Sequence, residues 1–435
     1  MKMSVIGTGY LGATHAAAMA ELGHEVIGVD VDLDKIARLT RGEVPFFEPG
    51  LPELLSKHVA TGRLRFTASV QEAVEWADIH FVCVGTPQKP GEYAADLRYI
   101  DASFGAVAEH LRPGTTVVGK STVPVGTAAR LAVLVRAAGG NLVWNPEFLR
   151  EGFAVKDTLH PDRIVLGIED GAGKAAIDEA YAPIVSADDT PVVITDYATA
   201  ELVKVAANSF LATKISFINA MAEVCEATGA DVTMLAKAIG HDERIGHRFL
   251  HAGLGFGGGC LPKDIRAFMA RAGELGVDQA LSFLKNVDEI NLRRRARMVD
   301  LARELCDGSL AGRRVGVLGL AFKPNSDDIR DSPALDVALN VQRAGAAVRV
   351  YDPEAMTTAE GLYPSLFYAA SPAEACRDAD IVLHLTEWSV FRELDPGELK
   401  SLVAAPRIVD GRNALDPDKW IAAGWHFRAL GRPYR

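Results

Sequence analysis

Lys2-Met3-Ser4-Val5-Ile6 leads into Gly7-Thr8-Gly9-Tyr10-Leu11-Gly12, and Glu25-Val26-Ile27-Gly28-Val29 ends at Asp30. The first run reads as a buried strand, the alanine-rich stretch through Ala20 as a helix, and the third run as a second strand. Strand, glycine turn, helix, strand and acid make up a dinucleotide-binding βαβ unit. Gly7, Gly9 and Gly12, with Tyr10 and Leu11 between them, bring a pyrophosphate to the helix N-terminus, where free N–H groups and the dipole favour an anion. Asp30 accepts from the adenosine ribose 2′-hydroxyl. A carboxylate there repels a 2′-phosphate, so the expected cofactor is NAD rather than NADP.

The same grammar recurs near the C-terminus. Arg314–Leu318 reads as a buried strand entering Gly319-Leu320-Ala321-Phe322-Lys323-Pro324, and Gly345–Asp352 matches Gly23–Asp30. Glu374-Ala375 through Ile381 likewise matches Glu72-Ala73 through Ile79. The second copy lacks the full glycine fingerprint, so it binds a different nucleotide-like group or nothing. Between the copies, Ala198–Thr228 is nearly free of helix breakers and apolar on most faces. It reads as one long helix, buried between domains or against a partner subunit. A further helix is expected over Ala280–Leu305. The fold class is therefore α/β, with two Rossmann-like doubly wound domains joined by a long central helix and a helical linker domain. The domains expected are 1–196, 197–308 and 309–435.

The chain has 435 residues, 49% hydrophobic and 24% charged, as in a water-soluble protein with a sizeable core. Its net charge of -11 argues against nucleic acid as a partner. No apolar run is long enough to span a bilayer, so no membrane association is expected. Five cysteines without framework spacing suggest reduced thiols. Met1-Lys2-Met3-Ser4 runs straight into a strand, with no signal peptide expected. A cytoplasmic enzyme is the resulting expectation, with no metal site.

One cysteine stands apart. Cys260 follows Gly257-Gly258-Gly259 and precedes Leu261-Pro262-Lys263-Asp264. The glycines permit close approach to a ligand, and Pro262 suits the first turn of a helix. A thiol at a helix N-terminus has a lowered pKa. A thiolate beside a nicotinamide cofactor is useful when an aldehyde must be held and oxidised again. The alternative is a structural thiol, which fits Cys83, Cys225, Cys306 and Cys376 in their apolar or helical runs. Lys204 and Asn208 project from one face of the long helix. Lys204 is either a desolvated functional cation or a side chain with a wet tip. Lys120–Thr127, Val84–Pro87 and Asn145–Gly152 are polar loops after strands, at the edge where doubly wound sheets bind ligands.

These motifs, together with Pro45–Leu51, Asp242–Gly246 and Phe322–Asn325, identify the chain as resembling the UDP-glucose/GDP-mannose dehydrogenase family over essentially its whole length. The resemblance implies a four-electron oxidation of a sugar C6 alcohol to a carboxylate, with two NAD+ and UDP-glucose as substrate. It makes Cys260 the nucleophile. Lys204, Asn208 and Asp264 position water and stabilise an oxyanion, and Glu147 and Thr122 complete the acid–base network. It gives cofactor contacts to Asp30, Lys35, Thr86, Thr122, Glu151, Lys263 and Arg330, besides the fingerprint. It gives nucleotide-sugar contacts to Phe148, Leu149, Arg150, Glu151, Lys204, Asn208, Phe249, Leu250, His251, Ala252, Gly253, Gly257, Phe322 and Lys323. Arg244 is assigned to the partner's pocket in a homodimer. Gly259 and Leu261 depart from the Ser and Phe common in the family. Leu also occurs in GDP-mannose relatives, while Phe322-Lys323-Pro324 and Asp327-Asp328-Ile329-Arg330 favour the UDP-glucose branch. The alternatives are oxidation of GDP-mannose or UDP-N-acetylmannosamine, a single-step 3-hydroxyacid dehydrogenase, and a non-catalytic NAD-responsive protein.

Overall fold

Eight strands build the first sheet: β1 (Lys2–Ile6), β2 (Glu25–Val29), β3 (Leu64–Thr67), β4 (Ile79–Val82), β5 (Thr116–Gly119), β6 (Asn141–Trp144), β7 (Ile164–Gly167) and β8 (Val192–Thr195). Their order is β3-β2-β1-β4-β5-β6-β7-β8. The neighbours run parallel except β6 and β7, which meet antiparallel at Trp144 and Gly167. A parallel sheet covered on both faces needs apolar side chains in both directions along a strand. Accordingly Met3 and Val5 enter one core, with Ile79 and Phe81. Ile6 enters the other, with Ile27, Val29 and Val82. The helix Tyr10–Glu21 is buried along Gly12–Ala20, where alanines keep its backbone close to the sheet.

The computed structural model describes residues 1–169, 171 and 173–434. Its chain divides into two compact units, Met1–Ala207 with Arg266–Gly276, and Asn208–Ile265 with Val277–Arg435. The helical stretch expected as a middle segment is thus shared out between them.

The second unit contains the other sheet: β9 (Arg314–Leu318), β10 (Ala347–Tyr351), β11 (Phe367–Tyr368), β12 (Ile381–His384), β13 (Arg407–Asp410) and β14 (His426–Ala429). Their order, β11-β10-β9-β12-β13-β14, repeats the pattern of the first six strands of the other sheet. In both sheets the order reverses beside the first strand of the repeat, the place where such folds form a ligand crevice.

The long helix runs over Tyr197–Thr228. Phe210, Phe217 and Val224 along it are 67%, 49% and 52% exposed, so within one chain this apolar face is uncovered. In the second unit the helix is held by Glu226, which pairs with the fully buried Arg294 and with Arg297 of the helix Ser282–Leu305. The residues just before Ser282 form a 3-10 turn, Asp278–Leu281, rather than the start of the expected helix. No helix among the described residues is long and apolar enough to cross a membrane.

Candidate active site

In the first unit the fingerprint glycines have three different duties. Gly7 turns the chain with φ +87°, and its N–H donates to the Val29 carbonyl. A Cβ on Gly12 would lie 1.8 Å from the Gly7 carbonyl oxygen, so the helix can pack there only as glycine. At Gly9 a Cβ would meet nothing within 4 Å, and no side chain caps this end of the helix. That open N-terminus is the surface a pyrophosphate requires.

Asp30 accepts from the Thr8 amide at 2.9 Å, from Lys35 Nζ at 2.9 Å and from the Asp32 amide at 3.1 Å. Burial pushes its carboxyl up, but these donors outweigh burial and hold it below the usual range. An ionised acceptor at this strand end fits NAD and disfavours a 2′-phosphate. The Thr86 hydroxyl donates to the Thr122 carbonyl at 2.6 Å, which ties together the loops after β4 and β5.

Two further groups in this unit, Glu48 within Pro45–Leu51 and Glu201 at the start of the family motif Glu201–Asn208, were given no role by the sequence. Glu48 is 1% exposed. It accepts from the Tyr10 hydroxyl and from the amides of Gly152 and Ala154 at 2.6 and 2.7 Å. It thereby staples the end of the Asn145–Gly152 loop to the fingerprint helix. Glu201 on the long helix is 2% exposed and accepts from the amides of Gly126 and Ala128. Burial drives its carboxyl up to about 7, against the pull of those amides and of Arg271.

Lys204 is 5% exposed, and its Nζ donates to Glu147 Oε1 at 2.9 Å. The wet-tip alternative for this lysine is therefore set aside. Glu147 Oε2 accepts from the Leu149 amide, and Lys204 Nζ lies 5.6 Å from the centre of the Phe148 ring. The Arg150 guanidinium is turned to Asp157, at 2.6 to 2.8 Å.

In the second unit Cys260 is exposed and caps the helix Leu261–Glu274, its carbonyl accepting from the Asp264 amide at 3.0 Å. Asp264 is 2% exposed. It accepts from Asn208 Nδ2 at 2.7 Å and from Lys263 Nζ at 2.5 Å. The three glycines before Cys260 also let the chain approach itself closely. A Cβ on Gly257 would strike the Asp331 carbonyl, one on Gly258 the Phe322 ring, and one on Gly259 the Arg330 guanidinium. The expected ligand contacts Phe322 and Arg330 thus lie against this loop.

Arg412 was also missed. Its guanidinium donates to the carbonyls of Leu385, Gly255 and Phe322 at 2.7, 3.0 and 2.9 Å, so one side chain holds three loops. Loop Phe249–Gly253 is fixed at Gly253, whose amide donates to Asn219 of the long helix. Ala252 is held through its carbonyl, which accepts from Asn413. Phe249 has φ +65°, a strained value for a bulky side chain. Leu250 and Ala252 are buried and His251 is exposed. Lys323 Nζ lies 5.3 Å from the centre of the Phe322 ring. Arg244 is exposed, paired with Asp242 at 2.7 Å. Among the described residues no group of three or more His, Cys, Asp or Glu is placed to hold a metal ion.

Comparison with known proteins gives the class. Residues 1–185 match the NAD binding domain of the UDP-glucose/GDP-mannose dehydrogenase family, 198–293 its central domain and 316–417 its UDP binding domain. The chain belongs to that family and is an NAD-dependent oxidoreductase. It is 43% identical to a UDP-glucose 6-dehydrogenase of Rhizobium meliloti (strain 1021), with 100% of both chains covered. A solved UDP-glucose dehydrogenase from Pyrobaculum islandicum superposes with a TM-score of 0.89 at 39% identity, covering 99% of this chain and 98% of that one. A UDP-D-ManNAc dehydrogenase from Pyrococcus horikoshii superposes with a TM-score of 0.86 at 26% identity, covering 99% of each.

Proposed function

We propose that this enzyme oxidises UDP-glucose to UDP-glucuronate in two steps, through a covalent intermediate on Cys260. The observation that carries the covalent step is the exposed Cys260 at a helix N-terminus, four residues before a buried Asp264 that binds both Asn208 and Lys263. The relatives named above support the sugar, since identity is higher to the UDP-glucose enzymes than to the UDP-D-ManNAc enzyme.

The glycine turn, Asp30, Lys35 and Thr86 would hold NAD+, which would supply the hydride acceptor, one equivalent for each oxidation. In the first step the C6 alcohol loses a hydride and a proton. The Cys260 thiolate then adds to the aldehyde carbon, giving a thiohemiacetal. Loss of a second hydride leaves a thioester, and water cleaves it to free the carboxylate and the thiolate. Lys204, which donates to Glu147, stabilises the negative charge that develops on oxygen; such fixed donors act most strongly where water is excluded. Asn208 and Asp264 orient the attacking water, and Glu147 and Thr122 move protons. Lys323 and the loop Phe249–Gly253 hold the nucleotide sugar.

The enzyme works as a homodimer. Phe210, Phe217 and Val224 recur every seven residues on the long helix, and a stripe of this kind is buried by a second helix.

The test is the NADH yield per UDP-glucose consumed. A value of two is expected. A value of one would leave a single-step dehydrogenase, and none would leave a binding protein.

A further inference from the structure

The helix Thr127–Ala137 begins at Gly126, which has φ +97° and no side chain with which to cap it. Its first amides would normally go to a Ser, Thr, Asp or Asn oxygen at that position. Here they go to another element. Glu201 reaches across from the long helix, taking the Gly126 amide on Oε2 at 2.8 Å and the Ala128 amide on Oε1 at 2.7 Å. A carboxyl group has two acceptor oxygens and can take two such amides at once. The neighbouring backbone is fixed as well: Arg271 Nε donates to the Val125 carbonyl, and the Thr127 hydroxyl donates to that of Pro124.

Glu201 and Lys204 are three residues apart on one helix, so they share a face. The loop that Glu201 anchors contains Thr122, whose carbonyl is held by Thr86. We propose that Glu201 is a positioning residue: by capping the Thr127–Ala137 helix from outside, it fixes the Thr122 loop in register with Lys204. The proposal rests on the roles given to Thr122 and Lys204 above. Glu201 itself touches no reacting atom. It acts by holding two groups that must be placed to within a fraction of an ångström, and a 1 Å misplacement costs about 100-fold in rate.

The test uses the full-length enzyme with Glu201→Gln and Glu201→Ala, and with Lys204→Ala and Thr122→Ala as references. Glu201→Gln keeps the volume and one acceptor oxygen, so it reports even if Glu201→Ala fails to fold. Active sites are titrated so that kcat refers to folded enzyme. We expect kcat to fall at least about tenfold in Glu201→Gln, with the KM for UDP-glucose within about twofold of wild type. Amide exchange at Gly126 and Ala128 should quicken in the same variant. A merely structural cap would lower the melting temperature and leave kcat per titrated site alone. Wild-type kcat in Glu201→Gln, with Lys204→Ala and Thr122→Ala impaired, overturns this proposal and leaves the functional reading standing. Full activity in Lys204→Ala and Thr122→Ala overturns both.

Discussion

Asp30 and Asp352 close the same turn in the two sheets, one carboxylate oxygen of each accepting the amide of the residue after the strand-ending glycine: Thr8 at 2.9 Å and Leu320 at 2.7 Å. They differ in what else they hold. Asp352 is 1% exposed and also accepts from Ala321, Glu354, Ala355 and the Trp388 indole. Its acceptor capacity is spent on its own domain. Asp30 stands at the strand end with Lys35 beside it. Asp30 is therefore proposed to serve a ligand, whereas Asp352 serves the fold.

Asp30→Ala should weaken NAD binding by about 1–3 kcal/mol, the scale of a hydrogen bond to a charged group, with little change in stability. Asp352→Ala should do the reverse, strands of amides losing their acceptor and unfolding coming earlier in denaturant. Calorimetric titration with NAD and urea melts on both variants decide it. The assignment is wrong if the two substitutions affect NAD affinity equally.

Cys260→Ser can form a hemiacetal and then an ester, and an alkoxide leaves more slowly than a thiolate. Intact-mass spectrometry after incubation with UDP-glucose and NAD+ should find an adduct on Cys260→Ser and none on Cys260→Ala. Wild-type production of UDP-glucuronate by Cys260→Ala would exclude covalent catalysis at this residue.

Arg244 lies beyond the exposed stripe of the long helix, its side chain 88% exposed. If it completes the partner's pocket, mixing Arg244→Ala chains with Cys260→Ala chains should restore activity, since a hybrid dimer holds one intact site. Sedimentation should report a dimer. A fully active monomer would remove both the stripe's role and that of Arg244.

Acid should test two buried groups with opposite signs. His80 is fully buried against Ser4, and burial, then Arg112, lowers its pKa to about 4. The unfolded chain takes up that proton below about 6.5 and the folded one does not, so the stability His80 contributes is lost as pH falls through that window. Glu201 runs the other way: its folded pKa of about 7 lies above the usual carboxylate value, so its protonation stabilises the fold as pH falls from about 7 towards 4.5. Relative to His80→Gln, the wild type should lose about 1.4 kcal/mol between pH 7.5 and 5.5. Relative to Glu201→Gln, it should gain over the same interval. Equal pH slopes in all three proteins would contradict both assignments.

Much of the fold was legible because its strands are short apolar runs bounded by glycine or polar loops. β1, β2 and β9 begin and end where the pattern of residues places them. The long helix was legible from the near absence of breakers over Ala198–Thr228, one residue short of its observed start at Tyr197. What could not be read is what depends on partners far away in the chain. Glu48 reaches residues 104 and 106 positions on, and Arg412 reaches one 157 positions back. A glutamate between Phe47 and Pro49 looks like loop polarity until its amides are seen. Arg412 did carry a signal, since Asp410-Gly411-Arg412-Asn413 follows a strand at the ligand edge of the second sheet. The glycines before Cys260 show the limit from the other side: their smallness was plain, but not that Phe322 and Arg330 would pack against them.

The distribution of sulfur has a consequence for the enzyme's durability. Burial raises the thiols of Cys83 and Cys376 to about 12, and those of Cys225 and Cys306 are raised by burial as well. Of the five, Cys260 is the one exposed. Peroxide and soft electrophiles attack accessible thiolates first. The other four thiols are buried, so thiol oxidation of this protein begins at Cys260, the residue proposed as its nucleophile.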